Sequence, residues 1–193
     1  MRLHLVVLVL GLSAMNQLAL GHELRYETTL SGLNENPPNA SAGSGTASVT
    51  IDLDLATMRV QADFSGLTGT VSAAHIHCCT AAPNNVGVAT PTPTFPGFPS
   101  GVQAGSYDMT FDLADMASYN AGFVSNNGGT VSSAMNTLIT GLDNGEAYLN
   151  IHTSAVGAGE IRGFFQPVPE PASGLLLITS LLGVAYARRR QIV

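Results

Sequence analysis

The chain has 193 residues, of which thirteen are acidic and seven are basic, and none of the basic residues is a lysine. Arg25, Arg59 and Arg162 are the basic residues between Glu23 and Glu170, the range that holds all thirteen acidic residues. This surplus of negative charge repels phosphate backbones and anionic lipid, and it excludes nucleic acid as a partner.

The first 21 residues are typical of a secretory signal peptide. Arg2 is followed by an apolar run from Leu5 to Leu12, and small residues precede a cleavage point after Gly21. The run is too short to span a bilayer well, and a buried N-terminal helix is the alternative interpretation. We expect export, with His22 as the first mature residue. A terminal histidine can chelate copper through its amine and ring when a second histidine lies nearby.

Alternating apolar and polar residues predict antiparallel strands with one buried face. Residues 48–64 alternate with period two on both sides of a short break, which predicts a hairpin. Further strands are expected in ELRYETTLSG, which begins at Glu23, and in YDMTFDL, which begins at Tyr107. With 21 glycines and few helical segments, the sequence favours a mainly β fold, an antiparallel β-sandwich with one or two short helices, over residues 22–167.

Two histidines and both cysteines of the chain are adjacent in AAHIHCCTAA, residues 73–82. In a strand through this segment, His75 and His77 share one face and point away from the apolar side. In AYLNIHT, His152 lies on the polar side of another expected strand. If the two strands are neighbours, three imidazoles converge on one ion, and imidazole suits copper or zinc.

A purely structural use of these histidines is the alternative to a metal site. In that case the rings hydrogen-bond to neighbouring strands or to Glu160. Glu160 and Arg162 are two residues apart on one face of GEIRG, and we expect them to form an ion pair.

Cys78 and Cys79 meet oxidising conditions after export. Three outcomes are open for them: a vicinal disulfide, which we favour, one thiolate that joins the histidines on a metal, or links between chains. The segment 80–106 that follows is rich in proline and too long for an ordinary connection. Phe95 and Phe98 within it either cap the sandwich or belong to a lid over the histidine face.

One helix is predicted in TVSSAMNTLITGL, with Thr130 as its N-cap. Apolar residues recur there at helical spacing, so one side packs on the sheet and the other is polar. The apolar positions are Val131, Ala134, Met135, Leu138, Ile139 and Leu142.

The C-terminal segment 168–193 resembles the PEP-CTERM sorting signal of Gram-negative bacteria. It combines a polar motif, a short apolar helix and a basic end, supplied by Pro169, Glu170 and Pro171 and by Arg188, Arg189 and Arg190. The resemblance implies an exosortase-type processing enzyme as a partner, a transient inner-membrane stage and delivery to the cell surface or extracellular matrix. An ordinary C-terminal membrane anchor is the alternative.

Six motifs spaced along the chain resemble the CHRD domain. They are LSGLNENPP, FSGL, AAHIH, SYNAGF, YLNIHT and GEIRGFF. The similarity runs from Tyr26 to Phe165. It implies a β-sandwich with an immunoglobulin-like, Greek-key character. It does not imply an enzyme activity, since the biochemical role of the domain is poorly defined. The paired cysteines are not a general feature of that family.

The histidine pattern is also similar to the copper site of copper–zinc superoxide dismutase, where an arginine guides anions, as Arg162 would here. The analogy lacks a fourth ligand, a bridging histidine and an acidic zinc ligand set. We therefore expect a binding or matrix protein at the cell surface, with a copper- or zinc-dependent redox protein as the alternative.

Overall fold

The computed structural model describes residues 22–169, in which eight strands form one antiparallel sheet with two α-helices beside it. The strand order is β4-β6-β7-β1-β2-β3-β5, and β8 pairs with β1. The strands are β1 Glu23–Ser31, β2 Ser44–Asp52, β3 Thr57–Ser65, β4 Val71–Cys78, β5 Gly105–Asp112, β6 Ala147–Thr153, β7 Ile161–Phe164 and β8 Gln166–Pro167, and the helices are α1 Ala121–Asn126 and α2 Val131–Asp143.

The predicted fold class is confirmed as mainly β, antiparallel and of sandwich type. The sheet is continuous and curls, so that strands from both of its ends contribute to one hydrophobic core. Among residues 22–169, no helix is long and apolar enough to cross a membrane. The predicted signal peptide and the predicted C-terminal apolar helix lie outside the described residues.

The β2–β3 hairpin forms as its alternation predicts. Val49 and Ile51 on β2 and Met58 and Val60 on β3 are fully buried, while the residues between them face outward. Leucine, isoleucine and valine side chains each contribute about 1.5–3 kcal/mol when they are fully buried. This face of the hairpin therefore anchors one half of the core.

The segment between β4 and β5 closes the open side of the curled sheet. Phe95 is completely buried, and its ring centroid lies 5.7 Å from that of Tyr107 and 5.4 Å from that of Phe111 on β5. Phe98 is also in the core. The two phenylalanines therefore cap the core, which is one of the two roles that the sequence left open.

The same segment follows the free edge of β4 through backbone hydrogen bonds. Ala89 N donates to Ile76 O at 2.9 Å, Phe95 N donates to Ala74 O at 3.0 Å, and Gly101 N donates to Val71 O at 2.9 Å. We call residues 80–104 the edge segment. It connects the two ends of the sheet and supplies backbone groups next to β4.

Helix α2 begins and packs as predicted. Thr130 is its N-cap and accepts a hydrogen bond from Ser133 N. Ala134, Leu138 and Leu142 are fully buried against the sheet. The spacing of these three residues explains why the helix was visible in the sequence.

Phe95→Ala should lower the free energy of unfolding by about 3–5 kcal/mol, because it removes a fully buried ring from a packed core. Denaturant unfolding of the full chain measures this. Val102→Ala, in the same segment but 38% exposed, should change it by less than about 0.5 kcal/mol. Equal effects would mean that the edge segment does not cap the core.

Candidate metal centre

The pairing of β4 with β6 determines which side chains meet. His77 lies opposite Tyr148, His75 lies opposite Asn150, and the next pair along the strands ends in His152. Because side chains alternate across a strand, the residues between the histidines enter the core and the histidines share the other face. The two strands are direct neighbours, as convergence of the three rings requires.

The three imidazole rings form a triangle. The ring centroids of His75 and His152 are 5.0 Å apart, those of His75 and His77 are 5.7 Å apart, and those of His77 and His152 are 5.9 Å apart. One ligand nitrogen from each ring lies within 4.8 Å of those from the other two. Among residues 22–169, neither cysteine belongs to this group.

The rings point away from the core, but they are covered. Only 7% of His75 and 9% of His77 is exposed, and His152 is half-buried. The edge segment and the turn between β6 and β7 lie against them, as the contacts below show. The face that carries the histidines is therefore covered by backbone and is not open to solvent.

Each ring uses one nitrogen to donate a hydrogen bond to a backbone carbonyl. His75 Nε2 donates to Pro93 O at 2.6 Å, His77 Nδ1 to Val86 O at 2.8 Å, and His152 Nδ1 to Gly157 O at 3.0 Å. None of the three bonds to Glu160. A carbonyl only accepts, so each bonded nitrogen carries the proton and the other nitrogen of each neutral ring has a free lone pair.

The remaining ring nitrogens are buried and have no partner. These atoms are His75 Nδ1, His77 Nε2 and His152 Nε2. Burial lowers the pKa of all three imidazoles, and it lowers the pKa of His77 to about 4. Three neutral imidazoles with unshared lone pairs therefore face one another. A buried nitrogen in this state is costly unless something binds it.

Cys78 and Cys79 lie at the end of β4 with their sulfur atoms joined as a vicinal disulfide. Cys78 is part of the hydrophobic core, on the side of the sheet opposite the histidines. The disulfide packs against Gly141 of α2, where an added Cβ would lie 2.3 Å from the sulfur of Cys78. Gly141 therefore leaves the space that the two sulfur atoms occupy.

A sequence model of the CHRD domain matches residues 26–165. The chain belongs to the CHRD family. No curated protein and no solved structure gives a significant match. The match spans every residue of the histidine cluster as well as the edge segment and α2.

In this CHRD domain, Arg162 is the largest fully buried side chain. Its guanidinium donates to Asn85 Oδ1 at 2.6 Å, to Pro83 O at 2.7 Å and to Asn34 O. Glu35 is the acidic partner, with an Nε–Oε2 distance of 3.7 Å. Because its donors are occupied and it is buried, Arg162 does not offer the anion-guiding surface that the superoxide dismutase analogy implied.

The predicted ion pair between Glu160 and Arg162 is wrong. Glu160 instead accepts hydrogen bonds from Ser41 Oγ, Thr153 Oγ1 and the backbone N–H groups of residues 68 and 69. Burial raises the pKa of Glu160, but these four bonds outweigh it, and the pKa falls to about 2. Glu160 thus ties the turn after β6 to the loops before β2 and β4.

Tyr148 connects Arg162 to the histidine cluster. Its ring stacks on His77 with centroids 4.8 Å apart, and the guanidinium carbon of Arg162 lies 4.8 Å from the same ring centroid. Val86 N donates to the Tyr148 hydroxyl at 3.2 Å, while Val86 O accepts from His77. Arg162 and Tyr148 therefore hold the part of the edge segment that orients His77.

Sequence reasoning missed Glu35 and the positioning role of Tyr148. The proximity of NENPP and GEIRG to the histidine strands became visible only with the strand order. His22 lies outside the histidine cluster, and its ring is 3.3 Å from the Asp54 carboxylate. An N-terminal copper chelate needs a second histidine nearby, and none of those in residues 22–169 lies beside His22.

Arg162→Met should lower the free energy of unfolding by about 3–5 kcal/mol, because it leaves the carbonyls of Asn34 and Pro83 without their donor and the buried Glu35 carboxyl without its partner. Adding Glu35→Gln should recover part of this loss. Chemical denaturation of the full chain measures both. Arg59→Met is the matched control, since Arg59 pairs with Asp108 at the surface, and it should change little. A similar loss at both arginines would contradict the buried role of Arg162.

Proposed function

We propose that this CHRD domain holds one copper or zinc ion on His75, His77 and His152. The observation that carries the proposal is the set of three buried, unpartnered imidazole nitrogens on one face of β4 and β6. In each ring one nitrogen donates to a carbonyl, which fixes the tautomer and leaves the other nitrogen free. A carbonyl that accepts from the second nitrogen is the usual outer partner of a metal-bound histidine.

The three rings fit such an ion after they move slightly closer together. Bonds of about 2.0–2.1 Å place tetrahedral ligand nitrogens about 3.3 Å apart. The three nitrogens lie within 4.8 Å of one another, so the rings need to approach by up to about 1.5 Å. Neutral nitrogen ligands suit copper and zinc better than magnesium or calcium, which prefer oxygen.

We further propose that the protein is exported and acts by binding at the cell surface or in the extracellular matrix. The signal-like first 21 residues and the PEP-CTERM-like end support export, passage through the inner membrane and cleavage by an exosortase-type enzyme. The negative charge of the domain supports a partner that is not a nucleic acid. The buried position of Arg162 favours this binding role over redox turnover of superoxide.

The full chain should bind one equivalent of copper or zinc at neutral pH, measured by elemental analysis and titration calorimetry. Ordinary imidazoles would lose about a thousandfold in affinity between about pH 7.5 and pH 5.5, because each of three rings near pKa 6.5 would lose about tenfold. Burial lowers all three pKa values, so the loss over this interval should be much smaller.

The control is the variant His75→Ala, His77→Ala, His152→Ala. It should bind neither metal, whereas His22→Ala should bind as the wild type does. Binding that is equal in the wild type and the triple variant, or weaker than micromolar in both, would show that the histidines are structural.

Replacement of Pro169, Glu170 and Pro171 by alanine should leave the protein in the inner membrane with its arginine end attached. The reason is that the processing enzyme would lose its recognition motif. Cell fractionation and intact-mass measurement check this. Release of the variant at the wild-type level would identify the C-terminal segment as an ordinary anchor.

A further inference from the structure

A fourth polar atom on the histidine face is also buried without a partner. Among residues 22–169, the buried side-chain atoms that make no hydrogen bond are Glu35 Oε1, the three imidazole nitrogens and Asn150 Oδ1. Four of these five atoms thus belong to the face that β4 and β6 share. The sequence offered no fourth ligand for the histidines because an asparagine carries no charge and binds few metals.

Asn150 stands at the centre of the histidine cluster by register. It is the direct cross-strand partner of His75 and lies two residues before His152 on the same face of β6. Facing residues of antiparallel strands have Cβ atoms about 4.5–5.5 Å apart. Only 3% of Asn150 is exposed, so its amide lies in the same buried layer as the rings.

The turn between β6 and β7 holds this amide in place. Gly159 has a φ of +132°, and a Cβ built on it would lie 2.4 Å from both the Oδ1 and the Nδ2 of Asn150. The missing side chain at Gly159 therefore makes room for the amide. The same turn supplies the carbonyl of Gly157 that orients His152. The fold thus buries an amide oxygen on the same face as three imidazole nitrogens and provides no donor for it.

We propose that Asn150 Oδ1 is the fourth ligand of the ion, which completes a site of three nitrogens and one oxygen. This inference rests on the proposed function above. A site with four protein ligands has no position for water or a small anion, as in structural zinc sites, whereas catalytic sites keep one position open. The ion in this CHRD domain is therefore retained to stabilise the fold or a binding surface, and it does not activate a substrate.

Cobalt(II) bound to the full chain tests whether protein atoms fill all four positions around the ion, because its visible spectrum reports the number of ligands. The wild type should give a four-coordinate spectrum that azide does not change, since no position is free. Asn150→Ala should bind cobalt at least about tenfold more weakly and should change its spectrum when azide is added. Asn150→Asp keeps an oxygen at the same place and should stay insensitive to azide.

A wild-type spectrum that changes with azide would overturn the inference, whether or not Asn150→Ala folds. Identical affinity and azide response in the wild type and Asn150→Ala would also overturn it, while the three-histidine site would stand. Failure of the wild type to bind cobalt, zinc or copper would instead refute the proposed function, with the triple histidine variant as the reference for no binding.

Discussion

The antiparallel register of β4 and β6 is the constraint on which the histidine cluster depends. His75 lies opposite Asn150, and a slip of one residue would send His75 and His77 into the core and bring Ile76 out. Ile76 and Leu149 are directly opposite each other and completely buried. The hydrophobic packing that stabilises this end of the sheet therefore fixes the histidines as well.

Orientation of the rings comes from outside the two strands. The edge segment supplies the carbonyls of Val86 and Pro93, and the turn after β6 supplies that of Gly157. The carbonyls of Val86 and Pro93 belong to backbone that is itself held by the core phenylalanines and by the buried Arg162. The carbonyl of Gly157 lies in the turn that Glu160 anchors to Thr153. Rings that are held before an ion arrives lose little rotational freedom on binding, which favours affinity.

The elements that the sequence revealed are those whose burial leaves a periodic pattern. The β2–β3 hairpin and α2 each bury one side, so alternation in one case and helical spacing in the other predicted them. The edge segment that covers the histidines left no such pattern in the sequence. Val86 and Pro93 bond to the rings through backbone carbonyl groups, which every residue has. Proximity in the chain also gave a wrong prediction of the ion pair. Glu160 is two residues from Arg162, yet Glu35 is the residue that pairs with Arg162.

The edge of β4 that does not pair with β6 is a place where copies of this protein could pair with one another. β4 is the last strand at its end of the sheet, and an uncovered edge of this kind is a template for a strand from another molecule. The edge segment occupies those backbone groups, and its own prolines at 83, 91, 93, 96 and 99 lack the N–H that a further strand would need. The domain is thereby protected from polymerising along this edge.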